Sequence, residues 1–238
     1  MDVSFEGKVV LVAGGTGGLG KAVSLAFLAE GAKTIVTYRT DAEFAALCDA
    51  AGAQSDLLDG HTADVTDETA VRILVDGIVA RHGRLDVLVN AVGGYAGGIK
   101  LWDLEPKTFE QMLALNLRSG YTLARAAVVP MLKLRSGAIV NVGAKAAVDH
   151  GGGASAYAAS KAAAVAMMDS LAEDLKGTGV RVNSILPSII DTEANRKAMP
   201  DANFTTWPKP EDIARVVLFL ASDQAKVVHG ASVPVYGA

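Results

Sequence analysis

Tyr157 and Lys161 stand one helical turn apart in "SAYAASKAAA", so their side chains share one face of a helix. A phenol has a reference pKa of about 10, too high for efficient acid/base work near neutrality. An ammonium on the same face favours the phenolate and is expected to lower that value. The pair reads as a proton donor and the cation that tunes it. The run ahead of them, "NVGAKAAVDHGGG" at 141–153, carries no hydroxyl side chain. Nothing immediately upstream supplements the phenol.

A second constellation lies near the N-terminus, in "VVLVAGGTGGLGKAVSLAFL". Gly14, Gly18 and Gly20, with Thr16 and Leu19 among them, fall between a β-branched run and an Ala/Leu-rich helical segment. A backbone free of Cβ atoms turns tightly there and approaches a pyrophosphate seated on the positive end of the helix. The motif predicts a dinucleotide site. Its 2′ position would be read after the second strand, in "TIVTYRTDAE". An acidic residue there would bind a ribose diol, and Tyr38, Arg39 and Thr40 stand in its place. Arg39 can fork onto a 2′-phosphate, which predicts NADP(H) over NAD(H); the alternative is a solvated surface charge. Asp64, with Val65, follows the third strand, where its carboxylate either accepts from the adenine amino group or caps the next helix.

The elements that must position these groups alternate along the chain. "KVVLVAG" precedes a helix at 18–30, "KTIVTY" one at 41–51, and a strand near 57–63 one at 67–83. "RLDVLVNAV" then precedes a helix at 106–133, "GAIVNVG" one at 155–177, and "VRVNSIL" a loop, a helix at 210–222 and a last strand near 231–236. Strands of near-continuous Val, Ile and Leu are expected where helices cover both faces of a parallel sheet. The pattern predicts a single α/β domain over 1–238, a Rossmann-like doubly wound parallel sheet of about seven strands and six helices. The irregular stretch 187–210, with four prolines, has the length of a substrate loop or lid.

Composition narrows the function classes. The net charge of -4 comes with scattered Lys and Arg, which gives nucleic acid no basic stripe to follow. No stretch of eighteen uninterrupted apolar residues and no leader-like N-terminus are present, which predicts a soluble cytoplasmic chain with no membrane partner. Cys48, the single cysteine, cannot form an internal disulfide and fits a reducing compartment, on a helix face as a structural thiol. The four histidines, His61, His82, His150 and His229, share no metal-ligand spacing, so no metal is expected.

Taken together, Gly14–Gly20, Asp64, Asn90 at the end of the fourth strand, Asn116 in "LALNLRSG", Tyr157-x-x-x-Lys161 and Pro187–Thr192 resemble the short-chain dehydrogenase/reductase family over essentially the whole chain. The resemblance implies hydride transfer between a nicotinamide and a small-molecule substrate. It implies that Tyr157 donates the proton, that Lys161 also binds the nicotinamide ribose, that Asn116 holds a water in a proton relay, and that Ile190 and Thr192 hold the carboxamide.

Three departures bear on the substrate. The family's substrate-binding serine, thirteen residues before the tyrosine, is Ala144; Asn-Asn-Ala-Gly has become Asn90-Ala91-Val92-Gly93; Pro-Gly has become Pro187-Ser188. Segments 93–98, 143–149 and 186–207 look like those of dihydropteridine reductases, a branch that also carries alanine at the serine position. That likeness implies a quinonoid dihydropterin acceptor, whose conjugation lessens the need for a hydroxyl donor. The alternatives are an ordinary carbonyl or 3-oxoacyl-type reductase in which Ser155, Ser188 or a water replaces the serine, and a non-catalytic dinucleotide-binding regulator. Tyr95, Trp102, Phe204 and Trp207 are candidate aromatic walls for a flat substrate. Helices at 106–133 and 155–177, apolar on more than one face, predict a homodimer or homotetramer.

Overall fold

A computed structural model describes residues 3–237. Over those residues the chain forms one parallel sheet in the order β3-β2-β1-β4-β5-β6-β7. The strands are β1 (Val9–Ala13), β2 (Lys33–Tyr38), β3 (Leu58–Thr62), β4 (Val87–Asn90), β5 (Gly137–Val142), β6 (Val180–Pro187) and β7 (Ser232–Val235). Alternation along each strand feeds two cores. Val10, Val12, Val36, Val89 and Val140 pack on α1 (Gly18–Ala29) and α8 (Pro210–Ala221). Leu11, Ile35, Leu88 and Ile139 pack on α3 (Glu68–His82), α5 (Ser119–Leu134) and α6 (Ser155–Asp174) on the opposite face. Burial on both faces is why the strands read as unbroken apolar runs. Cys48, on α2 (Asp41–Ala51), packs partly buried against the first core.

The doubly wound parallel sheet follows the sequence pattern, and the helix count needs correction. Among the described residues, eight α-helical segments replace the six expected. The span 106–133 divides into α4 (Pro106–Leu113), a π-helical turn at Ala114–Arg118 and α5. The loop at 187–210 holds a further helix, α7 (Glu193–Ala198), started by Thr192, whose hydroxyl accepts the Asn195 N–H. Glu193 and Lys197 pair across one turn of it at 2.6 Å. Short-period signals of this kind vanish inside a stretch punctuated by proline. The helix begun at Ser155 ends at Asp174, and Gly177 and Gly179 turn the chain with φ of 75° and 90°.

The strand order reverses at β1, whose neighbours are β2 and β4. In such sheets the ligand crevice opens at the carboxyl ends of the strands on either side of that switch. The glycine loop follows β1 there, and Ala91-Val92-Gly93 follows Asn90 at the end of β4. Among the described residues no helix is long and apolar enough to cross a membrane.

Candidate active site at the carboxyl edge of the sheet

The turn after β1 is laced to its neighbours. Gly14 N–H donates to Thr37 Oγ1 at 2.8 Å, and Ser24 Oγ donates to the Gly15 carbonyl at 3.0 Å. Gly14 adopts φ +74°, a left-handed conformation that favours glycine, and a Cβ on Gly20 would lie 2.0 Å from the Gly14 carbonyl oxygen. Helix α1 begins behind Gly17 with no side-chain cap and no acidic residue in its first turn. By contrast, α2 and α3 are capped by Thr40 and Asp67 and carry Asp or Glu in their first turns. The N–H groups opening α1 meet no side-chain acceptor, a start open to an anion that α4 and α6 share. Leu19 turns its side chain into the core, so only its backbone is available to a ligand.

At the far end of the crevice, the Asn90 side chain is buried and donates to Asn141 Oδ1 at 3.1 Å, while its Oδ1 accepts the Val92 N–H at 3.3 Å. It shapes the turn that delivers Gly93. Asn116, 2 % exposed within the π-turn, clamps that same loop. Its Oδ1 accepts the Gly94 N–H at 2.9 Å, and its Nδ2 donates to the Gly94 carbonyl and to Ser160 Oγ, each at 3.0 Å. Ser160 Oγ in turn donates to the Tyr157 carbonyl at 2.8 Å. The π-turn therefore ties the β4 loop to the helix that carries Tyr157, a recurrent use of π-bulges at functional sites. Ser160, inside the Tyr157–Lys161 motif, carries no sign in the sequence that it ties α6 to the β4 loop, and Gly93, at the end of Asn90–Gly93, none that it borders Lys161.

Tyr157 and Lys161 lie on one face of α6, as their spacing requires, but their protonation differs from the expectation. Lys161 is 4 % exposed and donates from Nζ to the Val142 carbonyl on β5 at 2.8 Å. Burial pushes its ammonium down to about 8. Burial also pushes the Tyr157 phenol up to about 12, with Tyr95 adding to the rise. The ammonium is aimed at the sheet, so desolvation outweighs any lowering of the phenol. The Tyr95 ring meets the Tyr157 ring edge-on with centroids 5.0 Å apart. A Cβ on Gly93 would stand 2.9 Å from Asn116 Oδ1 and 3.2 Å from Lys161 Nζ. Glycine keeps that corner open.

These observations fit a dinucleotide. The uncapped start of α1 suits a pyrophosphate, the corner at Gly93 gives Lys161 room to reach a ribose, and a Cβ on Gly18 would touch Thr192 Cγ2 at 2.8 Å, so the loop after β6 closes onto the glycine turn. Asp64 Oδ1 accepts both the N–H and the hydroxyl of Thr66, at 2.9 and 2.7 Å, which holds its carboxyl below the usual range. Asp67 caps α3, through Ala70 N–H at 2.8 Å; Asp64 does not. The Val65 carbonyl accepts from Thr122, which anchors this strip to α5. Arg39 is 91 % exposed, with Glu43 at 3.8 Å.

The substrate side is less converged. Ala144 is buried at the start of the loop after β5. Ser188 Oγ donates to the Tyr236 carbonyl at 2.7 Å, and Lys145 Nζ lies over the Tyr236 ring at 5.3 Å. Phe204 and Trp207 pack together at 4.9 Å, and Arg196 lies over the Phe204 ring and forks onto Asp191 at 2.5 and 2.8 Å. Those contacts bind the 187–210 loop to itself. Ile190 accepts on its carbonyl from Asn195 Nδ2 at 2.8 Å. Trp102 is exposed on a turn. No cluster of three or more His, Cys, Asp or Glu suited to a metal occurs among the described residues.

Comparison with known proteins agrees with this geometry. A 3-oxoacyl-[acyl-carrier-protein] reductase, FabG, of Thermotoga maritima is 32% identical over 240 residues, 98% of this chain and 97% of that protein. A D-threitol dehydrogenase of Mycolicibacterium smegmatis is 34% identical over 246 residues, 99% of this chain and 94% of that protein. The solved structure of ElxO with NADP bound superposes with a TM-score of 0.91 at 26% identity, covering 97% of each chain. The short chain dehydrogenase family profile matches residues 8–203; with its glycine turn, its π-turn clamp and its Tyr157 helix all at one sheet edge, the chain belongs to that family of oxidoreductases.

Proposed function

We propose that this protein reduces a small carbonyl compound, using NADP(H) in preference to NAD(H), and that it works in the cytoplasm. The observation that carries the reading is the Tyr157 phenol, half-buried against Tyr95 and one helical turn from the buried Lys161, whose Nζ borders the open corner at Gly93. Burial pushes that phenol up to about 12, so it keeps its proton near neutrality, and the alkoxide that reduction forms is basic enough to take it. When bound, the dinucleotide supplies the hydride. Lys161 binds its ribose and holds positive charge near the nascent alkoxide, Tyr157 delivers the proton to the carbonyl oxygen, and Thr192 and Ile190 hold the carboxamide. Asn116 acts as a positioning residue, since its side chain is committed to Gly94 and Ser160. Arg39 takes the 2′-phosphate, Asp64 and Val65 flank the adenine, and the loop at 187–210, with Trp207, closes over the substrate.

The acceptor class departs from the quinonoid dihydropterin suggested by local segments. Similarity along the whole chain runs to proteins named for carbonyl and alcohol chemistry, a 3-oxoacyl reductase and a polyol dehydrogenase, and it outweighs short loop likenesses. No serine is present at Ala144, and the replacements are poor. The Ser188 proton is committed to Tyr236, and Ser155 points roughly 200° around α6 from Tyr157. With Tyr157 polarising the carbonyl unaided, the site suits a ketone activated by a neighbouring electron-withdrawing group, as in a 3-oxoacyl thioester. Parallel NADPH and NADH oxidation assays with a 3-oxoacyl thioester, simple ketones and a quinonoid dihydropterin test this. The thioester is expected to turn over fastest, and Ala144→Ser to raise simple-ketone turnover about tenfold. A dihydropterin rate far above the thioester rate would reverse the assignment.

The protein is further proposed to be a homodimer or homotetramer. Phe109, Tyr121, Val129 and Leu132 leave apolar surface exposed on α4 and α5, the faces a second copy would cover. Sedimentation of the purified protein as a monomer at micromolar concentration would refute it.

A further inference from the structure

The glycine turn and the first turn of α2 meet through a carboxylate. Thr16 Oγ1 donates to Glu43 Oε2 at 3.3 Å, and the Arg39 guanidinium stands 3.8 Å from Glu43 Oε1. Glu43 is fixed at this place by its neighbours. Its N–H donates to the Thr40 cap at 3.4 Å. The next residue, Phe44, stacks on Tyr38 with centroids 4.8 Å apart and rests against Gly60, where a Cβ would come within 2.4 Å of the ring. Glu43 is thus held between the glycine turn and the residue proposed to read the 2′ position, and the positive end of α2 favours a negative charge there.

We propose that Glu43 is a specificity-determining residue for the 2′ position of the dinucleotide, acting against Arg39. The inference rests on the reading that Arg39 receives a 2′-phosphate. A phosphate monoester carries a charge of about −1.5 to −2 near neutrality and meets Glu43 as a like charge. A ribose diol instead offers two O–H donors to the same carboxylate. A 2′-phosphate must compete with Glu43 for Arg39, whereas a diol gains an acceptor. The two side chains together set a modest preference for NADP(H) and leave NAD(H) usable.

The test is fluorescence titration of the purified full-length protein with NADPH and with NADH, for the unaltered chain, Glu43→Gln and Arg39→Ala. Glutamine keeps an acceptor for Thr16 and removes the charge. The ratio of the two Kd values is expected to move about tenfold toward NADPH in Glu43→Gln. An unchanged ratio, or equal weakening of both cofactors, would overturn the role of Glu43 and leave it a tether for Thr16. Arg39→Ala is read separately. A shift toward NADH supports the Arg39 reading, and unaltered NADPH affinity removes that reading while the Glu43→Gln ratio still decides the role of Glu43.

Discussion

Lys161 and Arg39, two cations at opposite ends of one crevice, differ chiefly in their surroundings. Lys161 is almost fully buried, donates to a strand carbonyl, and has its ammonium pushed down to about 8. Arg39 is 91 % exposed and faces a carboxylate across 3.8 Å. At the Lys161 end, desolvation fixes protonation states in advance and makes each group costly to alter. At the Arg39 end, water screens each charge, and preference depends on small differences between neighbours. In the proposed function, chemistry falls where the protein is dry, and cofactor choice where single substitutions are cheap.

The largest expected effect probes the dry end. Tyr157→Phe should lower kcat by about a thousandfold or more with cofactor affinity nearly unchanged, because only the proton donor is lost. A residual rate within tenfold of the unaltered enzyme, measured under saturating cofactor, would show that another group supplies the proton.

Gly93→Ala comes next. Its Cβ would crowd Asn116 Oδ1 and Lys161 Nζ at 2.9 and 3.2 Å, and a shift of about 1 Å at such a site costs up to about a hundredfold in rate. An unimpaired variant would mean that this corner lies outside the reaction.

Burial of Lys161 also has a stability signature. Its folded pKa of about 8 lies below the ordinary lysine value of 10.5, so between those values the unfolded chain binds more protons than the folded one. Stability contributed by this residue therefore rises with pH through that window, and its burial penalty is complete below pH 8. Urea unfolding of the unaltered protein should gain about 1–3 kcal/mol relative to Lys161→Met between pH 7.5 and pH 10. Parallel pH profiles for the two proteins would place the ammonium in a wetter setting than the structure gives it.

The smallest effect belongs to the wet end. Raising ionic strength from 50 to 300 mM should weaken NADPH binding about two- to fourfold and NADH binding hardly at all, since an exposed Arg39 interacts through screened charge. Equal salt dependence for both cofactors would sever Arg39 from the 2′ position.

Much of this architecture is legible in the residue order. Val9–Ala13, Val87–Asn90 and Gly137–Val142 announce strands because both of their faces are buried, and Gly14, Gly18 and Gly20 announce a tight approach because side chains there would collide. The π-turn at Ala114–Arg118 is not legible. "LALNLRSG" has ordinary helical character, and the turn shows itself only once Asn116 engages Gly94 and Ser160, which are 22 and 44 residues away. Helix α7 was hidden for a different reason, since four prolines in 187–210 suggest irregular chain even where Thr192 and Glu193 start a short helix.

The sequence by itself determined the parallel sheet, the tight glycine turn and the Tyr157–Lys161 pair, all of which depend on local periodicity and on steric rules that hold wherever a residue sits. Tertiary structure alone decided the protonation of that pair, because a pKa is set by how much water remains around a group and which dipoles face it. It also decided that Asn116 would position the β4 loop and that Glu43 would stand beside Arg39. Spacing places residues on a face; only packing says what that face meets.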